Sequence, residues 1–176
     1  MQPAHFQRVI AYIDGFNLHF GLKSSGWDRY LWLNVRALSQ NLLKPHQVLV
    51  HTKYFTSRVK TPQPKAQRQS DYLDALQTLT DFSIFFGKYQ VIRQTCRNCG
   101  FSYDASSEKM TDVNIAVELL QDAFQDNFDT ALLISADSDL VGPQCEDSSR
   151  RSASSSPARL SGSRSTFAPK LIRTSR

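Results

Sequence analysis

Residues 8–15 read RVIAYIDG, and this stretch decides how the chain folds. A short apolar run that ends at Asp14 and Gly15 is typical of a buried strand followed by a turn. Similar strand candidates occupy residues 47–55, 82–92 and 130–135, and the third is expected to bend at Gly87. Helical patterns lie between them, one starting at Asn17 and the others over residues 34–43, 67–79 and 112–124.

This alternation predicts an α/β fold with parallel strands and flanking helices. Ligand sites in such sheets lie beyond the carboxyl ends of the strands. Asp14 follows the first strand, and Asp137 and Asp139 follow the fourth. Thr111 is expected to cap the last helix, which puts Asp112 in its first turn. Docking of that helix on the sheet would aim Asp112 at the same edge, through an apolar face of Val113, Ala116, Val117, Leu120, Ala123 and Phe124.

Carboxylates that converge on one point repel each other, and a hard divalent cation removes that cost. Such a metal ion activates water and neutralises charge on a phosphodiester. An all-aspartate cluster therefore favours phosphoryl chemistry with Mg²⁺ or Mn²⁺ over peptide hydrolysis. The alternative for each residue is a structural one, because an aspartate after a strand is often a turn former or a helix cap.

Three stretches carry a resemblance to a known family. They are YIDGFNL at residues 12–18, EKMTDVN at residues 108–114 and LISADSDL at residues 133–140. These resemble the signature stretches of NYN domains, which are PIN-like, metal-dependent ribonucleases with a Rossmann-like parallel sheet. The match is closest to the LabA-like branch and extends over about residues 8–143.

The resemblance implies that Asp14, Asp112, Asp137 and Asp139 are catalytic metal ligands and that RNA is the substrate. It also implies substrate contacts, each with a structural alternative. Asn17 would orient a ligand, a water or a phosphate, or cap its helix. Ser135 and Ser138 would bind a phosphate or close a turn, and Lys109 would meet a substrate phosphate or simply be solvated. At the level of function, the alternative is an inactive RNA-binding or regulatory module on the same fold.

Basic and aromatic residues outside these stretches leave two interpretations open. Arg58, Lys60, Lys65 and Arg68 either guide a phosphate backbone or form a solvated loop. Tyr54, Phe55 and Tyr72 either stack on bases or belong to the core, and the core is the expectation for Phe55.

The cysteines predict no disulfide framework, because their number is three and no secretory signal is seen. Cys96 and Cys99 form half of a zinc site in a tight turn, but no second pair follows, and Cys145 is the only other thiol. We therefore expect reduced thiols rather than zinc. A zinc ion shared within a homodimer remains an open alternative.

Beyond residue 143 the amino-acid composition changes. Residues 144–176 contain ten serines and seven basic residues against two acidic ones, so they account for the whole net charge of +5. This composition predicts a disordered tail over residues 144–176. Because NYN domains normally continue here with a helix and a further strand, the resemblance implies an NYN-type nuclease domain over residues 1–143 that lacks its last helix and strand. The fourth strand would then be a poorly covered sheet edge.

Two origins of the tail stay open. One is a reading-frame shift near Gln144, and the other is a genuine Arg/Ser-rich tail that binds RNA nonspecifically. Because residues 1–143 carry equal numbers of basic and acidic groups, the high pI says nothing about the folded part. The lack of a secretory signal and of a long apolar run predicts a cytoplasmic location and no membrane contact.

Overall fold

The computed structural model describes residues 6–60, 62–136 and 170–175, without the side chains of residues 89–92, 104–108 and 170–175. Its strands are β1 (Gln7–Asp14), β2 (Gln47–Thr56), β3 (Phe82–Phe86), β4 (Lys88–Thr95), β5 (Ser102–Lys109), β6 (Thr130–Ser135) and β7 (Lys170–Ser175). Its helices are α1 (Gly15–Ser24), α2 (Val35–Asn41), α3 (Gln63–Gln77) and α4 (Thr111–Phe124), with a short 3-10 helix at Asp28–Tyr30.

The main sheet has the strand order β3-β2-β1-β6-β7, and its first four strands are parallel. The predicted α/β fold with a parallel sheet is therefore confirmed. In the register, Asp14 lies opposite Phe55 of β2, and Ile13 lies opposite Ile134 of β6. The carboxyl ends of β1, β2 and β6 are thus level with one another, which brings the residues that end them to one edge.

Strand β1 is buried on both faces, which explains its continuous apolar sequence. Val9, Ala11 and Ile13 pack toward residues of α2 and α3, including Val35 and Leu73. The alternate side chains, Ile10 and Tyr12, pack toward Ile115 of α4 and Phe128. The period of two along the strand divides the core into two layers, one on each face of the sheet.

Helix α4 corrects the sequence interpretation of its apolar face. Most of the predicted docking residues are exposed, namely Val113 (57%), Val117 (53%), Leu120 (55%) and Phe124 (87%). The buried face carries Ile115 and Asp122 instead. The helix is rotated because Asp122 is bound by polar groups of the sheet, which apolar periodicity cannot detect. Thr111 is the first helical residue rather than the cap, and Met110 holds the N-cap position with a left-handed φ of 76°.

The third predicted strand is two strands that separate at Gly87. Strand β4 leaves the main sheet and pairs antiparallel with β5, from Lys88 opposite Lys109 to Thr95 opposite Ser102. Strand β5 was missed because its sequence, SYDASSEK, is mostly polar. A Cβ atom at Gly87 would lie 2.8 Å from Ser57 Oγ and Thr111 Oγ1. The glycine therefore allows the end of β2, the end of β3 and the start of α4 to approach one another where the β4–β5 pair leaves the main sheet.

Part of the predicted tail is a strand. β7 pairs antiparallel with β6, with Thr130 opposite Ser175 and Ser135 opposite Lys170. The expected poorly covered edge at β6 was therefore wrong, and the predicted disorder does not hold for residues 170–175. Their sequence, KLIRTS, contains an apolar pair that the Ser/Arg-rich composition concealed. Residues 144–169 and 176 lie outside the described part, so the domain boundary at residue 143 stays a prediction.

Candidate functional site

Asp14 is the best-defined residue of the candidate site. It ends β1, it is the N-cap of α1, and only 2% of its surface is exposed. Oδ1 accepts a hydrogen bond from the backbone N of Asn17 at 3.0 Å. Oδ2 accepts from Asn17 Nδ2 and from Ser135 Oγ, the latter at 3.3 Å. The carboxylate is thus held in one orientation at the N-terminus of a helix, where negative charge is stabilised.

The N-terminus of α4 lies at the same edge of the sheet. Thr111 Oγ1 and Ser57 Oγ both lie next to Gly87. Ser57 directly follows the end of β2, and Gly87 directly follows the end of β3. Asp112 comes next in the first turn of α4 and is exposed. Asp112 thus lies at the carboxyl edge of the sheet, where β1 ends at Asp14, and its role as a metal ligand beside Asp14 stays a prediction.

The other predicted ligands are not part of the described chain. Asp137, Ser138 and Asp139 all fall outside the described residues. Within residues 6–60, 62–136 and 170–175, no group of three or more His, Cys, Asp or Glu side chains could hold a metal ion. The described part thus contains Asp14 and Asp112, and the complete acidic cluster remains a prediction.

The donor set at this edge fits a hard divalent cation. Asp14, Asp112, Asn17 and Ser135 offer only oxygen as ligand atoms, the type that Mg²⁺ and Mn²⁺ prefer. A carboxylate can accept about four hydrogen bonds, and Asp14 accepts three, from Asn17 N, Asn17 Nδ2 and Ser135 Oγ. Counted over the described residues, Asp14 therefore has room for one further partner on a carboxylate that Asn17 and Ser135 already orient.

Asn17 and Ser135, two of the predicted substrate-binding residues, both donate hydrogen bonds to Asp14. Asn17 does not cap its helix, because Asp14 does, and both of its nitrogen donors bind Asp14. Ser135 is buried at the end of β6, and its hydroxyl donates to Asp14 rather than closing a turn. Lys109 is exposed at the end of β5, next to the start of α4. Its contact with a phosphate remains a prediction.

The predicted basic and aromatic residues fall into separate groups. Phe55 is fully buried and belongs to the core, as expected. The Arg58 guanidinium lies 4.6 Å from the centre of the Phe86 ring. Lys65, Arg68 and Tyr72 instead line a cavity that the sequence interpretation did not anticipate.

This cavity has a volume of about 500 Å³ and lies between α1, α3 and the segment of residues 28–33. Gly15 and Thr56, at the ends of β1 and β2, form part of its wall. Gly15 follows Asp14 directly, so the cavity begins one residue beyond the Asp14 end of β1. The sequence signal that could have found it is the density of aromatic residues over residues 16–32.

His19 lies on α1 in the wall of this cavity. Burial lowers the pKa of its imidazole, and the positive charge of nearby Lys23 lowers it further. The ring is therefore neutral at pH 7, with one nitrogen that donates a hydrogen bond and one that accepts.

Cys96 and Cys99 lie in the turn between β4 and β5, and both thiols are free. The turn closes through a hydrogen bond from Gly100 N to Cys96 O at 2.9 Å, and Gly100 has a left-handed φ of 69°. The predicted tight turn is thus confirmed. Cys145 lies outside the described residues.

These features define an α/β domain with a buried aspartate at the carboxyl edge of a parallel sheet. The chain belongs to the NYN domain family, whose model matches residues 8–145. This family is associated with ribonuclease activity, and its nucleases typically use divalent metals. Assignment to the LabA-like branch stays a prediction.

Among solved structures, the chain is similar to the crystal structure of a protein of unknown function from Vibrio parahaemolyticus. The two share 18% sequence identity with a TM-score of 0.44, over 79% of this chain and 72% of that chain. No curated protein matches the chain. No helix of the described residues is long and apolar enough to cross a membrane.

Proposed function

We propose that the chain is a divalent-metal-dependent ribonuclease that cleaves RNA phosphodiester bonds at the sheet edge marked by Asp14. The observation that carries this proposal is the buried Asp14 carboxylate, held by Asn17 and Ser135. Membership of a family associated with ribonuclease activity supports it. RNA is accordingly the proposed substrate.

In this proposal Asp14, Asp112, Asp137 and Asp139 hold Mg²⁺ or Mn²⁺. When bound, the metal supplies an activated water and neutralises charge on the phosphodiester. Asn17 and Ser135 are positioning residues, because their donors fix the Asp14 carboxylate before the metal binds. Lys109 and Ser138 contact the substrate phosphate.

The decisive experiment measures cleavage of a single-stranded RNA in Mg²⁺, in Mn²⁺ and in EDTA. We expect cleavage only with a metal, and we expect Asp14→Asn to lower the rate about 100-fold or more, since metal catalysis contributes several kcal/mol. Asp74→Asn is the matched control, because Asp74 is exposed on α3. Equal cleavage by wild type and Asp14→Asn would show that the site is assigned wrongly.

The second candidate function is a catalytically inactive RNA-binding or regulatory module. It is supported by one observation: Asp14 is the N-cap of α1, so its carboxylate already has a structural role. A melting temperature that rises with Mg²⁺, without any RNA cleavage, would favour this module over the enzyme.

Two further predictions belong with this function. A homodimer is supported by the exposed apolar residues of α4, since large exposed apolar patches mark interaction surfaces. A cytoplasmic location remains an expectation from the sequence.

A further inference from the structure

The cavity between α1 and α3 contains the chemistry that recognises an unpaired nucleotide. Its volume of about 500 Å³ lies within the range of roughly 300–1,000 Å³ that is usual for small-ligand sites. Its wall includes Gly15, the next residue after Asp14, whereas Asp14 itself does not line it.

Three aromatic side chains stand at the cavity with much of their surface exposed. Phe20 is 57% exposed, Tyr30 is 41% exposed and Trp32 is 57% exposed. Exposed aromatic rings of this kind provide faces on which bases of single-stranded nucleic acid stack. Tyr54 and Tyr72 are more deeply placed and form the floor.

The charged side chains around the cavity favour an anion. Lys23 comes from α1, and Lys65 and Arg68 come from the first two turns of α3. Asp28 is the acidic residue of the lining, so the cationic groups outnumber it. This positive balance is local, because residues 1–143 as a whole carry no net charge. A phosphate attached to a stacked base would meet these groups.

Hydrogen bonds between separate segments hold the walls in place. Tyr72 OH donates to Leu33 O at 2.7 Å, which joins α3 to the segment that carries Trp32. Gln69 Oε1 accepts from Val59 N at 2.8 Å, and its Nε2 donates to Ser57 O at 2.9 Å. The Trp32 and Tyr72 rings pack edge to face with centres 5.8 Å apart. The cavity is therefore formed before a ligand enters.

We propose that this cavity is a subsite for one unpaired nucleotide of a single-stranded RNA, with its base against Trp32 and Phe20 and its phosphate near Lys65 and Arg68. This inference rests on the proposed ribonuclease function, because the nucleotide bound there would adjoin the phosphodiester at Asp14. It deepens that function by specifying a single-stranded substrate.

The two tryptophans of the chain allow a direct test. Trp32 lines the cavity, whereas Trp27 packs against Tyr30 and does not line it. In the full chain, Trp27→Phe leaves Trp32 as the only tryptophan, and Trp32→Phe leaves Trp27. Both variants are titrated with a short oligoadenylate in EDTA, so that binding is measured without cleavage.

We expect the oligoadenylate to quench the fluorescence of Trp27→Phe and to leave that of Trp32→Phe nearly unchanged. Anisotropy of a labelled oligoadenylate should show about tenfold weaker binding by Trp32→Ala, since base–aromatic stacking contributes about 1–3 kcal/mol. Lys65→Gln and Arg68→Gln should each lower the slope of log affinity against log salt by about 0.7. Lys44→Gln is the control, because Lys44 is exposed and precedes β2 at the opposite edge.

Equal quenching of both tryptophans, or unchanged RNA affinity in Trp32→Ala and Arg68→Gln, would overturn the inference. Adenosine monophosphate should bind more weakly than the oligoadenylate, and equal affinities would overturn the assignment to an RNA strand. Failure of the two proposals can be told apart. Cleavage of RNA without quenching of Trp32 would contradict the subsite proposal alone. Quenching of Trp32 without metal-dependent cleavage would contradict the ribonuclease proposal alone.

Discussion

At the scale of single residues, the site depends on how closely the chain packs around Asp14. Gly15 is one example, because a Cβ atom there would lie 2.4 Å from Cζ and Oη of Tyr54. The Tyr54 ring has little freedom to move away, since it is buried and packs against Tyr72 and Phe82. The absence of a side chain at position 15 therefore lets a floor residue of the cavity approach the end of β1.

Gly15→Ala should destabilise the protein by about 1–3 kcal/mol, because the added methyl group overlaps the Tyr54 ring. Chemical denaturation measures this change as a lower midpoint with an unchanged slope. The double variant Gly15→Ala with Tyr54→Leu should lose less stability than the two single changes together. Purely additive losses would contradict the predicted contact.

At the scale of elements, a buried polar network decides which face of α4 meets the sheet. Lys53 Nζ lies 2.7 Å from both Glu118 Oε2 and Asp122 Oδ2. Tyr12 OH donates to Asp122 Oδ2 at 2.6 Å, and Asn127 Nδ2 donates to Oδ1 at 3.0 Å. The network joins β1, β2 and α4 across their interface. Its groups remain stable there because each charge has a partner.

The pKa of Asp122 reflects this environment. Burial alone would raise it, but hydrogen bonds from Lys53, Tyr12 and Asn127 more than offset burial and hold the pKa below its usual value. A carboxyl with a lowered pKa in the folded state stabilises the protein above its unfolded pKa. That contribution is lost as the pH falls through the folded pKa, which means below about pH 4.

Asp122→Asn should therefore lower the stability at pH 7 by about 1–3 kcal/mol, because it removes a charge that Lys53 and Tyr12 bind. The loss relative to wild type should shrink as the pH falls below about 4, where Asp122 becomes protonated in the wild type. Denaturation across this pH range measures both effects. Asp74→Asn, at an exposed position of α3, should change little, and a constant difference at all pH values would contradict the assignment.

At the scale of the whole molecule, the rotation of α4 leaves a stripe of apolar residues on the surface. Val113, Val117, Leu120 and Phe124 repeat at intervals of four, three and four residues, which places them on one line along the helix. Asn114 and Gln121 flank this line on one side, and Ala116 and Ala123 flank it on the other. The margins carry no charge, so two copies of the stripe would meet without repulsion.

The double variant Val117→Lys with Leu120→Lys should shift the protein toward the monomer, because four lysines would face one another across a dimer of α4 helices. Sedimentation velocity measures this shift. Gln121→Lys, beside the stripe, should have a much smaller effect. A wild-type protein that is monomeric at all concentrations would show that the stripe does not join two copies.

Much of this molecule follows from the sequence alone. The run before Asp14 and the run over residues 130–135 predict buried parallel strands, because only a strand covered on both faces is apolar at every position. The same reasoning places Asp14 at the carboxyl edge, and α4 brings Asp112 there. The family follows from three short stretches around these positions.

Other features were decided only by the tertiary structure, since they depend on contacts between residues far apart in the chain. The face of α4 depends on Lys53 and Tyr12, which lie on two strands that precede it. The partner of Ser135 is Asp14, 121 residues earlier. The cavity beside Gly15 forms because α1, α3 and residues 28–33 meet there. Local periodicity shows which face of a helix or strand is apolar enough to be buried. Which other element packs against that face depends on side-chain packing and on polar groups elsewhere in the fold.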